Sequence, residues 1–242
     1  MKNKSIGIWQ ILNSEIITDI IGCSNFDFVI FDLEHGLHDP NSVQKCLYAA
    51  KSQALKSFAR VPSINYIDSV KLVDTGIDGI IIPHIENISD IEMIKKIYLT
   101  KSPGGERSIS PFVPRLDFGN IKKQNINPLI GILIESNKGI NNANQLISNE
   151  IVDFVYFGAY DLSIENNIDG DIFNKVIIKK LKLLLKESQK YKKQVMAICR
   201  DEKELSILVE LGVALPVYSV DTSILKNSLN KFQNKFSNLK TN

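Results

Sequence analysis

Asp78-Gly79-Ile80-Ile81-Ile82-Pro83-His84-Ile85-Glu86 is the stretch on which the fold turns. Its centre is a short β-branched run with no alternation, the pattern of a strand buried on both faces, and polar residues follow as soon as that run ends. On its N-terminal side, residues 68–75 carry apolar positions at helical spacing and stop at Gly76, a natural helix terminator. On its C-terminal side, Asn87, Ser89 and Asp90 are suited to cap a helix over 88–98.

The same alternation recurs along the chain. Further strands are expected at 7–11, 26–35, 56–62, 129–136, 152–160, 194–200 and 214–220. Helical spacing occupies 14–23, 41–52, 137–148, 171–191, 202–211 and 222–236. Repeated βα units imply a parallel sheet, and eight of them imply an α/β chain folded as a (β/α)8 TIM barrel. A doubly wound open sheet is the alternative, but no G-x-G-x-x-G follows the first strand. The polar end, 236–242, is expected to fray. The long segment 100–127 is read as a functional loop over the barrel mouth.

The bulk numbers fit this reading. A chain of 242 residues, 44% hydrophobic and 23% charged, suits one domain over 1–242. Lys+Arg 29 against Asp+Glu 27 leaves a net charge of +2 with no block of one sign, so nucleic acid is not an expected partner. No stretch has the length of a membrane span and MKNKSIGIWQ lacks the apolar run of a signal peptide, so a cytoplasmic protein is expected. Cys23, Cys46 and Cys199 are too scattered for a disulfide framework or a thiolate cluster.

Barrel chemistry sits at the C-terminal strand ends. There the sequence places Asp32, Glu34 and His35; Arg60; His84 and Glu86; Glu135; Asp161; Arg200 and Asp201; and Asp221. Carboxylates gathered at one mouth repel each other unless a cation intervenes. Oxygen donors with few imidazoles and no thiolates favour Mg or Mn, with Co a further choice. Glu135 and Asp161, ending successive strands, are the expected ligand pair, leaving coordination positions for water and substrate. No lysine stands at these ends, which argues against a Schiff-base mechanism.

DLEHG (32–36), ARVPS (59–63), LVDTGIDGIIIPHIEN (72–87), SPGGERS (102–108), ILIES (132–136), FGAYDLS (157–163) and SVDTSIL (219–225) stand in the order and spacing of a known family. With them the chain resembles the HpcH/HpaI aldolase and citrate lyase family from about Gly7 to Leu225. The resemblance implies a barrel of the phosphoenolpyruvate/pyruvate type. It further implies a class II aldolase that cleaves a 4-hydroxy-2-keto acid to pyruvate and an aldehyde through an enolate stabilised by a divalent metal on Glu135 and Asp161. In that family pattern Arg60 contacts the keto or enolate oxygen, His35 transfers protons, and Asp32 and Asp74 orient their neighbours. Glu34 holds a water on the metal, and Gly158 and Tyr160 contact substrate. A homo-oligomer, trimer or hexamer, is also implied.

The chain departs from the family pattern at several points. Leu133 stands where a glutamine is frequent, Ser108 follows Arg107 in place of glycine, Tyr160 replaces a small residue, and His84 replaces an apolar one. These changes leave the metal and enolate machinery whole and bear on the second substrate. The alternative within the resemblance is a Claisen-type acyl-CoA lyase, which needs a basic nucleotide groove that the sequence does not display. A phosphate-binding isomerase is disfavoured by Arg200-Asp201-Glu202 and Ser219-Val220-Asp221 where glycine-rich loops are wanted. Arg107 either binds a substrate carboxylate or pins its loop, and His84 either lines the pocket or satisfies buried backbone. His38 is read as a surface loop residue, Trp9 as core, and the Lys-rich segment 175–193 as a solvated face.

Overall fold

The computed structural model describes residues 5–102, 104–122 and 126–240. Eight strands, β1 (Gly7–Gln10), β2 (Phe28–Asp32), β3 (Lys56–Arg60), β4 (Gly79–Ile82), β5 (Leu129–Ile134), β6 (Phe154–Phe157), β7 (Gln194–Cys199) and β8 (Leu215–Val220), pair in sequence order. Every pairing is parallel, and β8 returns to β1, so the sheet closes into a barrel. Each sequence-expected strand is present.

The floor of the barrel is aromatic. Phe28 meets Phe58 edge-on at 5.7 Å between ring centres, and Phe58 meets Phe154 at 5.3 Å. Strands β3 and β6 are not neighbours, so these rings fill the interior. Each ring has glycine as its register partner on the next strand: Gly7 opposite Phe28, Gly79 opposite Phe58, Gly131 opposite Phe154. A Cβ at Gly7 or Gly131 would lie 2.0 or 2.3 Å from the facing ring, so the plug needs those positions bare.

Side chains alternate along a strand. Counting upward by twos from the plug, β2 brings Asp32 inward, β3 Arg60, β6 Tyr156 and then Gly158, β1 Trp9, and β5 Leu133 and then Glu135. The layer above the floor is therefore a set of functional groups, fixed by the same periodicity that builds the core.

The helices are α1 (Glu15–Cys23), α2 (Pro40–Ser52), α3 (Ser69–Asp74), α4 (Ile88–Tyr98), α5 (Asn137–Asn141), α6 (Ala143–Ile147), α7 (Ala159–Glu165), α8 (Lys175–Lys190), α9 (Glu202–Leu211) and α10 (Asp221–Lys240). Asp39 and Ser42 form a reciprocal cap on α2, and the Asp90 carboxylate accepts from the Asn87 main-chain N–H at 2.7 Å to start α4. Among the described residues, no helix is long and apolar enough to cross a membrane.

The structure corrects the sequence reading at four places. The sixth strand stops at Phe157, because Gly158 donates to Ile134 O and then accepts from Leu162 N–H to begin α7. Residues 137–148 form two short helices meeting at Asn142, whose side chain turns to donate to Glu86 O at 2.7 Å. Of the polar end, residues 236–240 are helical, and 241–242 lie outside the described residues. In its described residues the long loop does not cover the mouth: it joins a helix to the next strand, and such connections lie at the N-terminal ends of the strands. There Arg115 donates to Val73 O and Ile77 O, at the end of α3 and just before β4.

Candidate active site

Above the aromatic floor opens a cavity of about 320 Å³, whose walls include Trp9, Arg60, Glu135, Tyr156, Gly158 and Asp161. Asp32 and His35 also border it. That volume suits a small organic acid.

Arg60 is the anchored cation of the site. Asp32 and Arg60 are register partners on β2 and β3, so their side chains meet. Arg60 donates from Nε to Asp32 Oδ1 at 3.0 Å and from Nη2 to Oδ2 at 2.6 Å, while Nη1 stands 3.0 Å from Glu34 Oε2. Burial disfavours the charge, but the bonds and charges of Asp32 and then Glu34 outweigh it, and the net effect holds the guanidinium more firmly protonated than usual. The guanidinium also lies 4.8 Å from the centre of the Trp9 ring.

Glu135 follows β5 and is only 7% exposed. Its Oε1 accepts from the His84 main-chain N–H at 2.8 Å and stands 2.8 Å from His84 Nδ1. Burial, and further the charges of Asp161 and Glu34, raise its pKa to about 7, against the opposing pull of His84. Gly158 makes this placement possible, since a Cβ there would fall 2.3 Å from Glu135 Cβ. Beyond Gly158 the first turn of α7 presents Tyr160 and Asp161 at the rim.

A divalent cation fits this donor set. Among the described residues, no three or more His, Cys, Asp and Glu side chains are arranged to hold an ion by themselves. Two carboxylates, one buried and one at the rim, suit an ion whose remaining positions go to water and substrate oxygens. A cation there would offset the part of that shift that comes from the charges of Asp161 and Glu34.

The other sequence-predicted residues fall into two groups. His35 borders the cavity with its side chain 70% exposed, 4.0 Å from Glu34 Oε2, and its main-chain N–H donates to Asp32 Oδ1 at 3.2 Å. Asp74 and Arg107 stand apart from the cavity, at the opposite end of the barrel. Arg107 Nη1 lies 3.6 Å from Asp74 Oδ1, and its other donors reach Tyr98 O and Ile126 O, so within one chain it pins the long loop. Some strand-end charges serve local structure. Asp201 caps α9, Arg200 pairs with Glu204, and Asp221 accepts from Ile11 N–H and Leu12 N–H at 3.1 and 3.0 Å.

Two readings of single residues change. His38 is buried, not a surface loop residue, because its ring packs at a tilt against Phe31, 5.3 Å between ring centres. Trp9 is buried as expected but also lines the cavity, and Tyr156, which was not among the expected site residues, lines it too. The signal for both was available: counting by twos from Gly7 and Phe154 carries them to the mouth.

The HpcH/HpaI aldolase/citrate lyase family model matches residues 5–200. The 5-keto-4-deoxy-D-glucarate aldolase of Escherichia coli strain K12 is 24% identical over 240 residues, 97% of this chain and 93% of its own. An HpcH/HpaI aldolase from Desulfitobacterium hafniense DCB-2 superposes with a TM-score of 0.88 at 20% identity, covering 97% of this chain and 93% of that one. The citrate synthase SbnG superposes with a TM-score of 0.87 at 22% identity, covering 99% and 96%. These two solved structures establish a shared fold.

Proposed function

Because the chain belongs to the HpcH/HpaI aldolase/citrate lyase family, we propose that it is a class II aldolase, a carbon–carbon lyase that reversibly cleaves a 4-hydroxy-2-keto acid to pyruvate and an aldehyde. One observation carries the reading: Glu135, just after β5, and Asp161, in the first turn of α7, share a small-acid cavity with the anchored Arg60. A divalent cation, Mg, Mn or Co, held by these carboxylates would act as a Lewis acid toward the oxygens of a 2-oxo acid.

The chain's own residues supply the rest. Of the five N–H donors of a guanidinium, Asp32 and Glu34 engage three on Arg60. The two that remain are oriented for an oxygen on which negative charge grows as the enolate forms, and Asp32 keeps the group from turning away. His35, exposed at the rim, moves the proton between the hydroxyl of the cleaved bond and solvent. Tyr156 and Trp9 present the apolar walls that strengthen these charge interactions. Gly158 leaves room for the substrate beside Glu135, and Tyr160 borders its outer end.

The enzyme works in the cytoplasm on freely diffusing small molecules, as a homo-oligomer. The oligomer is supported by α10, which leaves Leu225, Leu229, Phe232 and Leu239 exposed on one side of the helix.

The test is exchange of the pyruvate methyl protons for deuterium in the presence of Mn or Mg, followed by NMR. The wild type should exchange, and Glu135→Gln should not. Exchange that is undiminished in Glu135→Gln overturns the ligand assignment.

A further inference from the structure

His84 is placed in a way that neither its neighbours in sequence nor the proposed chemistry requires. It follows Pro83 at the end of β4 with φ +59°, the left-handed region that non-glycine residues rarely occupy. That backbone turn points its N–H at Glu135 Oε1, 2.8 Å away, and its ring Nδ1 lies 2.8 Å from the same oxygen. Its other ring nitrogen, Nε2, lies 3.3 Å from Glu34 Oε1, and Glu34 Oε2 in turn faces Arg60 Nη1 at 3.0 Å. A continuous run of polar contacts thus crosses from Asp32 on β2 through Arg60, Glu34 and His84 to Glu135. Strain retained at a backbone position is maintained only where the surroundings impose it.

We propose that His84 is a positioning residue that aims Glu135, holding Oε1 from two nitrogens so that Oε2 is presented to the cation. This inference rests on the reading of Glu135 as a cation ligand and deepens it. A glutamate carboxylate joined to the backbone through three rotatable bonds can swing; fixing one oxygen with a main-chain donor and an imidazole restricts where the other can point. Such outer partners of a metal-binding group commonly set its affinity. Because the main chain contributes one of the two contacts, the ring supplies only part of the hold, and the substitutions can separate the two.

The experiment measures Mn binding to metal-stripped protein by titration calorimetry, alongside unfolding in denaturant, for the wild type, His84→Asn, His84→Gly and Glu135→Gln. Asparagine tolerates the left-handed backbone and carries an amide N–H near the position of Nδ1; glycine relaxes the backbone and deletes the ring. His84→Asn is expected to bind Mn within about 3-fold of the wild type, and His84→Gly about 10-fold or more weaker, while remaining at least as stable as the wild type. Wild-type affinity in His84→Gly, with binding lost in Glu135→Gln, overturns the role of His84 and leaves the ligand assignment standing. Equal weakening in His84→Asn and His84→Gly also overturns it. A wild type that binds no Mn removes the cation reading itself, and this inference with it.

Discussion

Trp9 donates its indole N–H to the Tyr156 hydroxyl over 2.7 Å, from β1 to β6 across the barrel interior. The two rings meet edge-on at 5.3 Å, and Arg60 lies over the indole. Burial keeps the Tyr156 phenol protonated well above its ordinary range. The two residues therefore brace the wall beneath Arg60 from opposite sides.

Tyr156→Phe removes the acceptor and leaves a buried indole N–H unpaired. The expected loss of stability is about 1–3 kcal/mol. Trp9 is the only tryptophan in the chain, so its emission during denaturant unfolding reports both the stability and the altered indole environment. An unchanged midpoint together with an unchanged spectrum would mean that the bond contributes nothing.

Gly158→Ala tests the close approach of β6 to Glu135. The backbone at Gly158 has φ −82°, which alanine accepts, so the issue is crowding: a Cβ there would lie 2.3 Å from Glu135 Cβ, 3.0 Å from Glu135 Cα and 3.1 Å from Leu133 Cδ1. Glu135 must move, and if it holds the proposed cation the expected loss is about 10- to 100-fold in cation affinity. Mn titration of metal-stripped protein reads this directly. Affinity equal to the wild type would show that Glu135 has slack.

Arg60→Lys keeps the charge and discards the fork. Lysine cannot grip both oxygens of Asp32 and reach Glu34 at once, so its ammonium is free to wander from the enolate oxygen. The expected fall in kcat is about 10²- to 10³-fold, the magnitude associated with one lost donor to a developing oxyanion. A rise in KM with kcat unchanged would point instead to simple substrate attraction.

The part of this architecture legible in the sequence is the part governed by periodicity. The run Gly79–Ile82 reads as a strand because burial on both faces leaves no alternation, and Arg60, Asp32 and Glu135 reach the mouth because they stand an even number of residues above Phe58, Phe28 and Gly131. Connections were harder to read. Asp74 and Arg107 enter as site candidates only through the family resemblance, and their distance from the cavity follows from which end of the barrel a helix-to-strand loop occupies. His84 shows a different obstacle: its contacts depend on φ +59°, a backbone choice that a histidine does not announce. His38 is a third case, since a polar residue in a glycine-containing loop gives no sign that Phe31 lies over it.

His38 makes acid stability a measurable consequence of that burial. Its ring is 7% exposed and its Nε2 has no hydrogen-bond partner. Burial lowers its pKa below 6.5, prevailing over the charges of Asp221, Asp32 and Asp39, which act the other way. The unfolded chain therefore takes up the proton first as pH falls. The stability tied to neutral His38 is complete above 6.5 and is lost as pH drops from there through the lower folded value. In that window the slope approaches at most about 1.4 kcal/mol per pH unit. Between pH 7.5 and 5.5, His38→Leu should lose less stability than the wild type in denaturant unfolding. Parallel pH profiles would show that His38 is not the titrating group.

Helix α10 provides the prediction about assembly. Leu225, Leu229, Phe232 and Leu239 are 53%, 62%, 76% and 69% exposed, and their spacing of four, three and seven residues sets them along one stripe. A stripe of that kind is costly in water and gains by burial, at about 25 cal/mol for each Å² removed from solvent. If copies of the chain cover it for one another, Leu229→Glu with Phe232→Glu places two carboxylates in a contact that excludes water, and the assembly should dissociate. Light scattering coupled to size exclusion should then show a mass several times that of one chain for the wild type and a smaller one for the double variant. The variant barrel should stay folded by circular dichroism, because these side chains face away from the core. A wild type that elutes with the mass of a single chain would refute the oligomer, and would leave the exposed stripe to be covered by some other partner.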